Sequence, residues 1–385
     1  MKILICPDKF KECLTSGSVA VHIRNGIRKV FPEAEYKILP LADGGEGTAE
    51  ALTEATRGRI ENARVHDPLM RPISSFFGVS GDGKTAIIEM ASASGLALLK
   101  PVERNPMVAS TYGTGELIRY ALDQGCNEII LGIGGSATVD GGVGMAQALG
   151  VSLTDDTGWE IAPGGGGLGG IFKIDSANLD PRVRSCKIYA ACDVSNPLTG
   201  PHGAAHIFGP QKGASPEMVI QLEDNLKHLA RVIRDTDRIE VEKIPGGGAA
   251  GGMGAGIVAF LGGELRPGFE LISRFVKLDE WIRWADLVIT GEGKMDHQTA
   301  FGKTPAGVAL AARRLNKPVM AFTGSLGEES DKLYDLGFDA LIPIADKPMS
   351  LEQSMADAGR LLENAAERAF RIAALGKLLP FTPFT

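Results

Sequence analysis

The sequence predicts an α/β protein of two domains. One is a flavodoxin-like parallel α/β/α sheet built from both chain ends, and the other is an inserted α/β domain with mixed strands. Three observations lead there. Apolar, strand-like runs alternate with helix-period segments at the start of the chain and again near its end. The stretch between them carries hairpin-like runs and long glycine tracts instead. The 385 residues also exceed what a single core usually holds.

The elements follow in order. KILIC (2–6) is short, apolar and stopped by Pro7 and Asp8. It reads as a buried first strand, being too short for a signal peptide. Thr15 or Ser16 can cap a helix that carries Val19, Ile23, Ile27 and Val30 at helical spacing. Tyr36–Leu41 is a second strand, followed by ADGGEGT and a helix from about Glu46 to Thr56. Past Arg57 the pattern changes. Residues 59–90 hold β-like runs around a Gly-Asp-Gly turn at 81–83. A helix from Gly115, a strand at 128–131, a glycine-rich loop and a helix near 142–149 come next. Residues 151–161 indicate a hairpin, PGGGGLGG (163–170) cannot hold regular structure, and Ile188–Cys192 is a strand. Helices near 216–234, 249–261 and 268–276 complete this part.

From Asp286 the first pattern returns. DLVIT, PVMAF and ALIPI are strands, with helices near 305–315, 329–336 and 350–375. Five strands from the two ends thus alternate with helices, which is the signature of a parallel sheet covered on both faces. The expected domains are 1–60 with 280–385, and 61–279. Ligands of such sheets bind beyond the carboxyl ends of the strands, and clefts between domains are favoured sites. The active site is therefore expected in the cleft between the two domains.

Bulk composition excludes several classes. The net charge is −7 and no Lys/Arg block stands out, so the electrostatic footprint of a nucleic-acid binder is missing. No apolar stretch is long enough to span a membrane. Five scattered cysteines without a CxxC pair fit a reducing compartment, so a cytoplasmic location is expected. Glycine is the outlier. There are 50, in clusters that mark tight backbone approach or positive φ.

Several motifs compete. Gly78–Thr85 fits GxxxxGK[ST], but TAIIEM follows where a P-loop needs a helix, so it reads as a hairpin turn. Gly132–Ala137 fits GxGxxA and Gly246–Gly251 fits GxGxxG. Either could seat a pyrophosphate, although small residues in the second also suit close helix packing. His202 and His206 sit in PHGAAH, where Pro201 and Gly203 argue against a helical zinc pair.

Carboxylates recur at strand ends: Asp8 after KILICP, Asp43 after ILPLA, Asp193 after IYAAC, and Glu292 and Asp296 after DLVIT. A single one is often a helix cap. Together they would form an acidic rim able to hold Mg²⁺ alongside substrate phosphates, or to take a proton from a hydroxyl. Lys9, Lys11, Lys212, Lys294 and Lys303 stand beside these carboxylates or glycines. Exposed lysines usually serve solvation, but an ammonium next to helix N-terminal amides can share an anion with them. Glycine loops, acidic rim and lysines together suit phosphoryl transfer, which needs positioning and charge neutralisation.

In sequence order, PDKFKECLTS, LADGGEGT, GTGELI, GIGGSATVDGG, CDVSNPLTGPHGA, FGPQKGA, GGGAAGGMGA, TGEGKMD and GKTPAGVA resemble the bacterial glycerate kinase family over nearly the whole chain. The resemblance implies an ATP- and Mg²⁺-dependent kinase of D-glycerate, making 2-phosphoglycerate or, in some relatives, the 3-phosphate. It carries over Asp8, Lys9, Asp43 through Gly47, Ser136, Asp140, Asp193, Ser195, Asn196, Glu292 and Asp296. Cys13 stands where serine is common, and Lys294 where arginine is common, which would lose a bidentate phosphate contact.

On this reading Asp193 is the first choice for the base and Asp296 the second. Asp43 and Glu292 would hold Mg²⁺, while Lys9 and Lys303 supply phosphate charge. Gly44, Gly45, Gly134, Gly135 and the hydroxyls of Ser136 and Thr138 would hold an anion, glycerate carboxylate or phosphate, with Asp8, Ser195, Asn196 and Lys294 nearby. Asp140 is either a site carboxylate or a cap for the next helix. The rival reading is an NAD-dependent oxidoreductase of a small hydroxy acid, built on a GxGxx[GA] loop. No nucleic-acid or membrane partner is expected, and a homo-oligomer is left open.

Overall fold

The computed structural model describes residues 1–300 and 303–375. Phe301 and Gly302, the latter opening the GKTPAGVA motif, lie outside the described residues, as do 376–385. In chain order the strands are β1 (Lys2–Ile5), β2 (Glu35–Ile38), β3 (Arg59–His66), β4 (Pro72–Val79), β5 (Thr85–Glu89), β6 (Glu128–Gly132), β7 (Ser152–Thr154), β8 (Lys173–Asp175), β9 (Lys187–Ala191), β10 (Glu264–Arg266), β11 (Leu287–Met295), β12 (Val319–Leu326) and β13 (Ala340–Pro343). The chain forms two compact units, Met1–Asp43 with Ile272–Thr385, and Gly44–Leu271.

The first unit holds a five-stranded sheet in the order β2-β1-β11-β12-β13, parallel throughout. Counted within the unit this is 2-1-3-4-5, the flavodoxin order, whose switch point lies between β1 and β11. Ile3, Ile5, Ile289 and Phe322 are fully buried in its core. They meet Val19, Ile23 and Ile27 from the helix Ser16–Arg28, and Leu361, Leu362, Ala365 and Phe370 from the helix Ala358–Leu375. Thr15 starts the first of these helices by accepting a hydrogen bond from Ser18 N at 3.2 Å. The two helices touch at Gly26, where a Cβ would lie 2.2 Å from the Glu363 carbonyl oxygen.

Two elements differ from expectation here. GEGKM, placed beyond the end of the strand DLVIT, is itself strand: β11 runs on to Met295, with Glu292 opposite Thr323 and Lys294 opposite Ser325 on β12. A long β12 supplies backbone partners that no local pattern announces. The terminal helix is broken at Asp357 into Leu351–Ala356 and Ala358–Leu375, the first piece starting with a Ser350/Gln353 capping box.

The second unit holds a mixed sheet in the order β10-β9-β6-β5-β4-β3. β3, β4 and β5 are antiparallel neighbours, while β5, β6, β9 and β10 run parallel. The Gly78–Thr85 segment is the β4–β5 turn, closed by Gly83 N to Ser80 O at 2.8 Å, and no helix follows it. The expected 151–161 hairpin is different in kind. β7 pairs with β8, and Glu160 adds only an isolated bridge to Thr154. The helix Thr48–Thr56 packs on β4 and β5, and Glu89 Oε1 accepts from Ala49 N at 2.7 Å. In the tract around Gly251 a Cβ would lie 1.9 Å from Thr138 O, so its small residues serve backbone-to-backbone packing. All five cysteines are free thiols. Among the described residues no helix is long and apolar enough to cross a membrane.

Gly26→Ala should force the two helices of the first unit apart and lower stability by about 1–3 kcal/mol. Urea unfolding checks this; an unchanged midpoint would show that the contact relaxes freely.

Candidate active site

In the first unit the backbone ladder continues past the strand ends and delivers three carboxylates to the switch point. Asp8 N donates to Gly291 O at 2.8 Å, and Leu41 N donates to Pro7 O at 3.2 Å. Asp8 thus follows β1, Glu292 lies within β11 beside it, and Asp43 follows β2. Burial pushes the Asp8 carboxyl up to about 7, and the negative charges of Asp43 and Glu292 push the same way. A hydrogen bond from Lys9 N at 2.7 Å pulls against them.

Glu292 is also pushed above its ordinary range by burial. Its Oε1 accepts from Thr299 Oγ1 at 2.6 Å and its Oε2 lies 3.4 Å from Lys303 Nζ. Lys303 is the N-cap residue of the helix Thr304–Arg314. Just inside that helix, the buried Thr304 hydroxyl faces the Asp8 carboxyl and opposes the rise in its proton affinity, without meeting full hydrogen-bond geometry. Asp296 is different. Lys294 pairs with it at 2.9 Å and holds it below the ordinary carboxylate range, and Gln298 N donates to it at 2.9 Å.

The carboxylates of Asp8, Asp43 and Glu292 crowd together beside a helix N-terminus, and the charges of Asp43 and Glu292 oppose ionisation of Asp8. That is the donor set for a phosphate-bound cation, with amides and Lys303 for phosphate oxygens. Among the described residues no group of three or more His, Cys, Asp or Glu is arranged to enclose a metal ion. Mg²⁺ held by one or two carboxylates plus substrate phosphates needs no such cage.

In the second unit two glycine motifs meet. A Cβ on Gly132 would lie 2.4 Å from Gly44 O, and one on Gly134 would lie 3.7 Å from Gly45 Cα. Gly44 itself has φ +93°, a conformation that side chains avoid. After β6 the chain runs through exposed Gly134 and Gly135 to buried Ser136 and Asp140, and the next helix starts only at Val143. That long interval is not the tight strand-to-helix turn of a dinucleotide fingerprint.

Asp140 is fully committed. Its Oδ2 accepts from Thr111 N and Thr111 Oγ1 at 2.8 Å and from Gly144 N at 3.3 Å, and its Oδ1 accepts from Gly142 N at 3.3 Å. These bonds tie Thr111 to the turn before the helix Val143–Ala148. Burial raises the proton affinity of Asp140, and these donors oppose that.

Ser136 Oγ accepts a hydrogen bond from Lys212 Nζ at 2.7 Å, and Thr138 O accepts another at 2.7 Å. Lys212 is 1% exposed. Burial pushes its ammonium down to about 7, against the pull of Asp140.

Asp193 is exposed after β9, and its Oδ1 accepts from Gly268 N at 2.8 Å. Ser195 is exposed beside it, and Asn196 Nδ2 donates to His202 O at 2.8 Å. Sequence reasoning marked Lys212 only as one lysine among several, and passed over Thr111, Thr299 and Thr304. A lone hydroxyl carries no signal until its partner is known.

Asp8 keeps its proton in the native state up to about pH 7, whereas the unfolded chain releases it near pH 4. The stability this provides is full at acid pH and lost as pH rises through 7. With chelator present, Asp8→Asn should melt close to wild type at about pH 4 and a few degrees above it at pH 8. Parallel melting curves at both pH values would refute the charge crowding. Asp140→Asn should cost about 3–5 kcal/mol in denaturant unfolding, because it breaks a buried charge network.

The glycerate kinase family profile matches residues 3–374. Glycerate 2-kinase of Escherichia coli K12 is 49% identical, covering 92% of this chain and 93% of that protein. Glycerate kinase of Bacillus subtilis 168 is 48% identical, covering 95% and 96%. A crystal structure from Salmonella typhimurium LT2 that carries the name glycerate kinase 2 superposes with a TM-score of 0.92 at 47% identity, covering 98% of this chain and all of that one. The carboxylates at the switch point and the paired glycine loops are therefore features of a kinase, and the chain belongs to the glycerate kinase family.

Proposed function

We propose that this kinase transfers the γ-phosphoryl group of ATP to a hydroxyl of D-glycerate, giving 2-phosphoglycerate. The observation that carries the reading is the convergence of Asp8, Asp43 and Glu292 at the switch point, beside the N-terminus of the helix Thr304–Arg314. Asp43 and Glu292, with Asp8 beside them, would hold Mg²⁺, which when bound neutralises phosphate charge. Lys9, Lys303 and the N-terminal amides of the helix Thr304–Arg314 spread the remaining charge over the phosphate oxygens.

The acid end of glycerate goes to the second unit's glycine segments, Gly44–Gly45 and Gly134–Ser136. Asp193 serves as the base that takes the hydroxyl proton, oriented by its bond to Gly268 N. Asp296 is the weaker choice, since its pairing with Lys294 lowers its proton affinity. Ser195 and Asn196 shape the loop after Asp193, and Asn196 ties that loop to His202. Five free thiols support a reducing, cytoplasmic setting.

³¹P NMR with ATP, Mg²⁺ and D-glycerate should show ADP and a phosphomonoester whose proton coupling marks the 2-phosphate. Coupling to a methylene would reassign the product to the 3-phosphate, and unchanged ATP would reject the reaction. Asp193→Asn should lower kcat by about a hundredfold or more; normal turnover removes it from the base role. At pH 8, Mg²⁺ with a non-hydrolysable ATP analogue should raise the melting temperature of wild type and much less that of Glu292→Gln.

A further inference from the structure

The strongest unexplained feature is a buried cation. Lys212 closes the short turn Pro210–Lys212 and is 1% exposed, yet among the described residues its Nζ bonds only to Ser136 Oγ and Thr138 O and pairs with no carboxylate. Asp140 supplies the nearby negative charge, but both its oxygens are taken by Thr111, Gly142 and Gly144. Burying an ammonium without a direct counter-ion is costly, so the position calls for a reason. Its bonds supply one.

In its charged form Lys212 can only donate. Ser136 Oγ must therefore accept from Lys212, and the hydroxyl's own proton must point elsewhere. Among the described residues nothing accepts that proton. Two of the three ammonium protons are spent, on Ser136 Oγ and Thr138 O, which pins both ends of a three-residue stretch. In the same stretch the Thr138 hydroxyl is fully buried and has no hydrogen-bond partner. The exposed turn Gly134–Gly135 leads directly into it. A cation behind a serine, an unspent hydroxyl proton and an open glycine turn together make a charge-assisted donor for an anion.

We propose that Lys212 is a positioning residue for the acid substrate: its ammonium orients and polarises the Ser136 hydroxyl, which donates its proton to a carboxylate oxygen of the hydroxy acid. This rests on the reading of the glycine segments as the acid-binding part. The same chemistry could take a nucleotide phosphate oxygen, and the test separates the two sources.

Steady-state kinetics would be measured on Ser136→Ala, Lys212→Met and the double variant, with D-glycerate and ATP varied separately. The expected result is a rise of about ten- to a hundredfold in KM for glycerate in each single variant, with KM for ATP within about twofold. The double variant should be no worse than the more damaged single one, because Lys212 acts through Ser136. A folded Lys212→Met with unchanged KM for glycerate, a rise in KM for ATP instead, or additive losses would overturn the proposal. Ser136→Ala with unchanged KM for glycerate would overturn the underlying loop reading as well, whereas damage confined to Ser136→Ala would overturn only the role of Lys212. If Lys212→Met does not fold, Lys212→Gln keeps a donor without the charge and is expected to show the same KM split. In wild-type protein carrying ¹⁵N-lysine, D-glycerate alone should shift the Nζ signal of the buried ammonium; a signal that stays in place at saturation would overturn the proposal without any variant.

Discussion

Asp43 and Glu292 both push against the charge of Asp8, and the first unit is built to hold these groups near one another despite that repulsion. The holding force is the backbone. The parallel ladder of β1, β2 and β11 extends beyond the strand ends through Cys6, Asp8 and Leu41, so the carboxylates cannot drift apart without breaking it. The fully buried Ile3, Ile5 and Ile289 anchor the ladder from below. Folding free energy from the core is thus stored as electrostatic tension at one sheet edge.

The second unit meets a related problem in the opposite sense. Its glycine segments must approach one another at backbone distance, which leaves no room for side chains to supply charge. The charge comes from behind, through Lys212, and is balanced at one remove by Asp140. Asp140 also ties Thr111 to the turn before the helix Val143–Ala148, so the network that stiffens the loop is the one that balances the lysine. Positioning and electrostatics are here one structure, which suits a reaction whose catalysis consists mainly of those two.

Much of this was legible in the residues. Apolar runs and helical spacing marked the alternation of strands and helices, since burial imposes period 2 or 3.6 on any sequence. Carboxylates placed directly after apolar runs marked the carboxyl edge of the first sheet. Other features were not legible. GEGKM has neither β-branched residues nor alternation, and becomes strand because β12 is long enough to pair with it. The helix Thr48–Thr56 continues the early alternation in sequence, yet its apolar face meets β4 and β5. Periodicity says that a face is buried, not what buries it.

By itself, then, the sequence determined the fold class, the strand-end carboxylates and the kinship of the motifs, because these depend on local pattern and on residue chemistry. Tertiary structure alone decided the partners. Asp140 is held by four hydrogen bonds because Thr111, Gly142 and Gly144 surround it. Asp296 was set apart from Asp8 by its lysine partner. Lys212, one lysine among many in the chain, became a buried cation because Ser136 and Thr138 enclose it. A side chain's charge, proton affinity and hydrogen-bonding duty are properties of its neighbours, and those neighbours come from distant parts of the chain.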